Sequence, residues 1–283
     1  MNFIGNIWFM KFIPTFLLFL LTTCVKAEQG SYIGSTPANS IVVREFLEIS
    51  HSDSIDFIRW KIVYQDDKFS LKCNYGIGKP NTNGFIEGGK WAQLDGRLRK
   101  QNHYYFLESK NKILGLLEIN NSLLHLLNAD NTLLIGNGGW SYTLSKEKGT
   151  ALPAKIIFLS NKIILKDSMA FQGRTPCWDF PLVHPGPQCI KQKWLIILYT
   201  DPKTNQPTTY HLNGNSRGEG GIRGPWKIAI GKDGKVIYQL FSGTEAAPLE
   251  LLSWNENILV FIDSKARLLI GNQDFSFTLS RKW

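Results

Sequence analysis

The sequence predicts an all-β protein made of two small antiparallel β-barrels in tandem. Three observations carry this. Segment 116–145 recurs as segment 251–280, aligned without a gap at an offset of 135 residues, with Gly136/Gly271, Asn137/Asn272, Ser141/Ser276, Thr143/Thr278 and Leu144/Leu279 identical. A period of that length is a small domain, not a solenoid unit. The apolar residues fall in short β-branched and aromatic runs, such as 193–199 and 258–262, divided by turn dipeptides. No window shows a convincing helical period over ten residues, and many short strands with regular turns point to closed barrels, which leave no exposed edges.

In chain order, residues 1–27 read as an export signal. Lys11 precedes an apolar run, 12–21, that is too short to span a bilayer, and Val25-Lys26-Ala27 offers a signal-peptidase cut that leaves Glu28 first. Cys24, three residues after Leu21, offers lipidation instead. Both routes export the chain, to the periplasm or the outer membrane; membrane contact follows only if Cys24 is lipidated.

Residues 28–145 form the first copy. Gly34-Ser35-Thr36-Pro37 opens it, a strand through Trp60 follows, then Gly89-Lys90-Trp91, then the segment 116–145. Turns are expected at Asn83-Gly84, Asp95-Gly96, Asn120-Asn121 and Asp130-Asn131. Residues 146–172 connect the copies. Two apolar runs, 156–159 and 163–165, make this stretch too apolar for a loose linker, so it reads as an added hairpin or a first strand of the second copy.

Residues 173–283 repeat the order: Gly173-Arg174-Thr175-Pro176, a strand through Trp194, Gly224-Pro225-Trp226, and the closing segment. Turns are expected at Asn213-Gly214, Asp233-Gly234, Asn255-Glu256-Asn257 and Asp263-Ser264-Lys265. In the last strand Phe275, Phe277 and Leu279 face one way and Ser276, Thr278 and Ser280 the other, the pattern of a half-buried strand. The pairs Trp60/Trp194 and Trp91/Trp226 read as core fillers, and Trp140 aligns with Phe275.

Charge excludes some functions. Removing the signal takes Lys11 and Lys26 from a net charge of +9 and leaves +7. The excess is spread thinly, with no block of five or six like charges, so a solvated basic surface is expected and no nucleic-acid partner. Catalytic sets are not evident. Asp66-Asp67, Asp201 and Asp263 sit in turns. His51, His103, His125, His184 and His211 lack metalloprotease spacing, Ser35 and Ser141 lie in no nucleophile elbow, and Gly218-Glu219-Gly220-Gly221 reads as a hairpin tip. A non-enzymatic protein is expected.

The cysteines offer the most specific chemistry. Cys177 and Cys189 flank a loop, 178–188, holding three prolines and His184. In an oxidising compartment the pair reads first as a disulfide, closing a loop of about 13 residues and contributing about 3 kcal/mol. The competing readings are a Cu(I) or Zn site built from Cys177, His184 and Cys189, or free thiols. Cys73 reads as a small buried apolar residue.

The opening G-R-T-P-C-W-D from Gly173 to Asp179, the later G-x-W strand and the closing Phe275-Ser276-Phe277-Thr278-Leu279 resemble the NlpE-type copper-homeostasis lipoproteins. The likeness covers nearly all of the second copy and, more faintly, the first. It implies a lipocalin-like barrel, a bacterial cell envelope, lipid anchoring in many members, and sensing or buffering of envelope stress, copper included. The family motif carries C-x-x-C in this opening. Here Cys177 matches the first Cys, Phe180 holds the second position, and Ala38 replaces Cys177 in the first copy, so the soft dithiolate that favours Cu(I) is absent as written. The expected function is therefore an exported binding or sensing module that meets an envelope protein or a small ligand and needs no cofactor. The alternatives are copper buffering through Cys177 and Cys189, or a hydrolase with its site in a barrel mouth.

Overall fold

The computed structural model describes residues 29–77, 89–153, 166–214, 220–231, 234–243 and 247–283. The export signal with Cys24, the Asn83-Gly84 turn, both apolar runs of the connector, Gly218, Glu219 and Asp233 lie outside these residues.

The described chain folds as two closed eight-stranded antiparallel barrels in tandem. The first comprises β1 (Gln29–Pro37), β2 (Phe57–Gln65), β3 (Lys68–Gly76), β4 (Lys90–Gln101), β5 (Tyr104–Ser109), β6 (Lys112–Asn120), β7 (Leu123–Leu126) and β8 (Thr143–Lys146), with a short helix α1 (Ile41–Phe46) between β1 and β2. A two-residue strand, β9 (Leu152–Pro153), follows. The second comprises β10 (Ser168–Thr175), β11 (Gln192–Thr200), β12 (Pro207–Asn213), β13 (Ile222–Ile230), β14 (Val236–Leu240), β15 (Leu249–Asn255), β16 (Ile258–Phe261) and β18 (Thr278–Arg281), with β17 (Arg267–Leu268) between the last two. The second barrel thus takes its first five residues, from Ser168, out of the stretch read as connector.

Each barrel is zipped in sequence order and sealed by pairing its last strand with its first, β8 with β1 and β18 with β10. The repeated motifs meet at this seal. Gly34 lies against Leu144 and Gly173 against Leu279, so close that a Cβ on either glycine would stand 2.8 and 2.6 Å from the leucine methyl. Two residues further on, Thr36 and Thr175 accept the indole N–H of Trp60 and Trp194, at 2.8 and 2.9 Å. Both tryptophans are buried inside their barrels. The G-x-T-P opening and the Trp strand are therefore one interaction, made twice.

Three expectations need correction. The match of Trp91 with Trp226 is out of register. Trp226 is buried and donates its indole N–H to the Tyr199 carbonyl at 2.7 Å, whereas Trp91, at the start of β4, is 72% exposed. In space the G-x-W of the second copy answers Gly96-Arg97-Leu98. Leu98 pairs with Leu107 and Trp226 with Leu240, both in the core.

Asp95-Gly96 is accordingly not a turn but mid-strand in β4. Gly96 is required because a Cβ there would stand 2.2 Å from the Glu108 carbonyl, as one on Gly224 would from that of Phe241, at 2.0 Å. Thirdly, the closing segment is not half-buried. Ser276, Thr278 and Ser280 are buried like the apolar residues between them, because their face meets the other barrel.

The other turns follow the side-chain chemistry expected of Asx residues. Asn120 and Asn255 accept from the backbone of Ser122 and Asn257, and Asp130 and Asp263 from that of Thr132 and Lys265.

Two cores fill the barrels, and a third apolar cluster joins them, drawn from β6, β7, β15, β16 and the turns that follow. Leu117, Leu123, Leu127, Leu252, Ile258 and Leu268 are among its members. The strands β9 and β17 pair across the same junction.

Candidate functional site

The barrel interiors are occupied by side chains, with Trp60 in the first and Trp194 and Trp226 in the second. Clefts open outside them: a broad one of about 1020 Å³ along the β2–β3 hairpin and β4, and one in each copy where the link between its first two strands arches over the barrel wall.

In the second copy that link is the loop 178–188, closed by a disulfide between Cys177 and Cys189 whose Cα atoms stand 6.0 Å apart. Phe180 anchors the loop. It is buried and contacts Trp194, Phe261 and Phe277, with ring centroids 5.2, 4.8 and 6.2 Å away. The position that carries the second Cys in the resembled motif is here an apolar plug. Gln192, fully buried, brackets the loop by accepting from the Trp178 amide and donating to its carbonyl, both at 3.1 Å.

Between this loop and the outer face of β14 and β15 runs a cleft of about 670 Å³, reached by Trp178, Asp179, His184, Glu250, Asp263 and Arg267 among others. Trp178 stays 45% exposed, held edge-on to Phe277. His184 Nδ1 lies 2.5 Å from Asp179 Oδ1, both side chains open to solvent. Glu250 accepts from Gln239 at 2.7 Å. Burial raises the Asp263 carboxyl, but hydrogen bonds from Arg267 and from the Arg267 and Lys265 amides outweigh it and hold the group below its ordinary value.

The first copy has a cleft at the corresponding place, of about 680 Å³. Gly115 and Asn128 line it where Glu250 and Asp263, their repeat mates, line the other. Its arch is α1, not a disulfide loop. Ser40 caps the helix, and Arg44 donates to the carbonyls of Ala38, Ser50 and Asp53 at 2.6, 2.7 and 3.1 Å. The two clefts differ in charge. Arg44, Arg99 and Lys112 face Glu45 and Glu48 in the first; Asp179, Glu250 and Asp263 face Arg267 in the second.

Cys177 and Cys189 are bonded to each other, and His184 stands at the rim of the cleft they help to frame. Ligation by Cys177, His184 and Cys189 together would first require reduction of the disulfide. Among the described residues no group of three or more His, Cys, Asp or Glu is placed to hold a metal ion. Cys73 is fully buried in the first barrel, where burial pushes its thiol well above its ordinary value. No motif in the sequence marks the cleft residues Gln239, Glu250 and Arg267. The one available signal was the change from Gly115 in the first copy to Glu250 in the second, a charge gained on an outward strand position.

Comparison of the chain with protein families, with curated proteins and with solved structures finds no match.

Proposed function

We propose that the protein is an exported, non-catalytic binding or sensing module of a bacterial cell envelope, and that its ligand or partner is met at the cleft beneath the disulfide-closed loop of the second barrel. The observation that carries this reading is the cleft itself. Trp178, Asp179 and His184 supply an aromatic wall and half of a polar rim from a loop fastened at three points, the disulfide, Phe180 and Gln192, while Glu250 of β15 and Arg267 of β17 complete the rim from the barrel side. A rigid arch over a filled barrel suits recognition, because little conformational entropy is lost when the loop is already ordered. The disulfide agrees with an oxidising compartment, and the resemblance of the Gly173–Asp179 opening to envelope lipoproteins agrees with the address.

The test is site-specific photocrosslinking of the full-length protein in its native envelope, with the probe at Trp178 and a control probe at Ile230, exposed and outside the cleft at the end of β13 that pairs with the start of β14. A discrete adduct at position 178 and none at 230 is expected. Equal labelling at the two positions, or none at 178, would sink the proposal. Intact mass measured on the same preparation reports whether the chain starts at Glu28 or at a lipidated Cys24.

A further inference from the structure

The contacts between the barrels have a regularity beyond tandem packing. Ser141 Oγ lies 2.5 Å from Ser276 Oγ, and Thr143 Oγ1 lies 3.1 Å from Thr278 Oγ1, each pair 135 residues apart. That is the repeat offset, so each of these residues touches its own counterpart. Off this line the close glycine–serine contacts are reciprocal. A Cβ on Gly136 would stand 2.7 Å from Ser280 Oγ, and one on Gly271 3.0 Å from Ser145 Oγ. Here 136 and 271 are mates, as are 145 and 280. The joining apolar cluster obeys the same rule. Leu117/Leu252, Ile119/Trp254, Leu123/Ile258, Leu127/Ile262 and Leu133/Leu268 all enter it as pairs at offset 135. Its remaining member, Val260, has His125 as its mate, and the His125 ring packs edge-on against Trp254, 5.6 Å between centroids.

Residues that meet their own equivalents mark a two-fold axis, and contacts of i with j matched by j with i mark an isologous interface. A head-to-tail packing of two repeats would give neither. The interface also accounts for where the copies stayed alike. Gly136/Gly271, Ser141/Ser276, Thr143/Thr278 and Ser145/Ser280 are identical and lie in it, while Asn137 and Asn272 make the same turn beside it. Each accepts from two backbone amides, Gly139 and Trp140 in the first copy, Asp274 and Phe275 in the second. On a two-fold axis a residue must complement itself, which small hydroxyl-bearing side chains do, since each can donate or accept.

We propose that this face is that of a homodimer whose subunits are now joined by the connector, and that the partner it fits is a second barrel of the same kind, on another chain as well as on this one. Of the two self-pairings, that of the second barrel places no buried histidine in the interface, because Val260 stands where the first copy has His125. In such a pair Trp254 would face Val260, a smaller residue than the His125 it meets now.

The test uses residues 166–283, which contain a closed barrel, its own apolar core and its own disulfide. Ser276→Cys introduces its only free thiol. Under mild oxidation at micromolar concentration it is expected to link to itself, giving a disulfide dimer, while Thr209→Cys, on the exposed face of β12, stays monomeric. Circular dichroism verifies that the fragment is folded. Should it not fold, a chain carrying 166–283 in both positions, joined by the native connector and bearing Ser276→Cys twice, replaces it. That chain is expected to close the bond within one molecule, and so is the full-length Ser141→Cys/Ser276→Cys variant, whose two positions are in contact. A folded fragment that remains monomeric, equal crosslinking at positions 209 and 276, or a doubled chain that does not close the bond would overturn the proposal.

Discussion

At the scale of single residues, the repeated motifs are structural and their loss should register as stability. Thr36→Val and Thr175→Val each remove the acceptor of a buried indole N–H. Each is expected to cost about 1–3 kcal/mol in urea unfolding, with similar values because the interaction is the same in both barrels. A clear cost at one site alone would contradict that equivalence.

His125 gives a pH prediction. The Leu134 carbonyl, 2.9 Å from Nε2, can only accept, so Nε2 carries the proton and Nδ1 accepts from the Thr143 hydroxyl, which in turn accepts from that of Thr278. Burial lowers the pKa of this neutral imidazole from 6.5 to about 4, against a smaller raising effect of the bond to Leu134. The unfolded chain therefore takes up a proton that the folded chain refuses. The resulting stability is complete above pH 6.5 and is lost as pH falls toward 4, by about 3 kcal/mol. His125→Val, which places the residue of its mate there, should flatten the dependence of Tm on pH across that window. An unchanged slope would assign the effect to another group.

At the scale of elements, the two arches reach the same end by different chemistry. Breaking the Cys177–Cys189 bond by substitution of both to Ala should lower the stability of the second barrel by about 3 kcal/mol, read from guanidinium unfolding. In the first copy Arg44 takes the place of the disulfide, and Arg44→Met should cost about 1–2 kcal/mol, less because part of its bonding is exposed. The strands and most turns were legible in the sequence, because period-two burial and Asx turns act over a few residues. What was not legible involved partners far along the chain. Ser276 and Thr278 look solvent-facing until the other barrel covers them. Gly96 looks like a turn glycine until the Glu108 carbonyl is seen against it. Trp91 looks like the mate of Trp226 because a short motif matched by chance seven residues out of register. Helix α1, only six residues long, gives no period to detect. The cleft is the extreme case: only the fold brings Trp178 and Glu250 to line one cleft.

At the scale of the whole molecule, the barrels form one body through a buried apolar cluster. Placing a charge in it, as in Leu252→Glu, should part them without unfolding either. Small-angle scattering would then show a larger radius of gyration while circular dichroism is unchanged; loss of the β signal would instead mean that the barrels cannot stand alone. The seals of the barrels bear on this. The ladder of β1 with β2 runs for nine residue pairs, whereas β1 meets β8 over two, and β10 meets β18 over two. The thinnest seam of each barrel is thus closed by the strand that the other barrel covers. Each barrel acts as the latch on its neighbour, so amide hydrogen exchange at Leu144 and Leu279 should accelerate together whenever the pair separates, reporting the parting of the halves before any strand elsewhere begins to open.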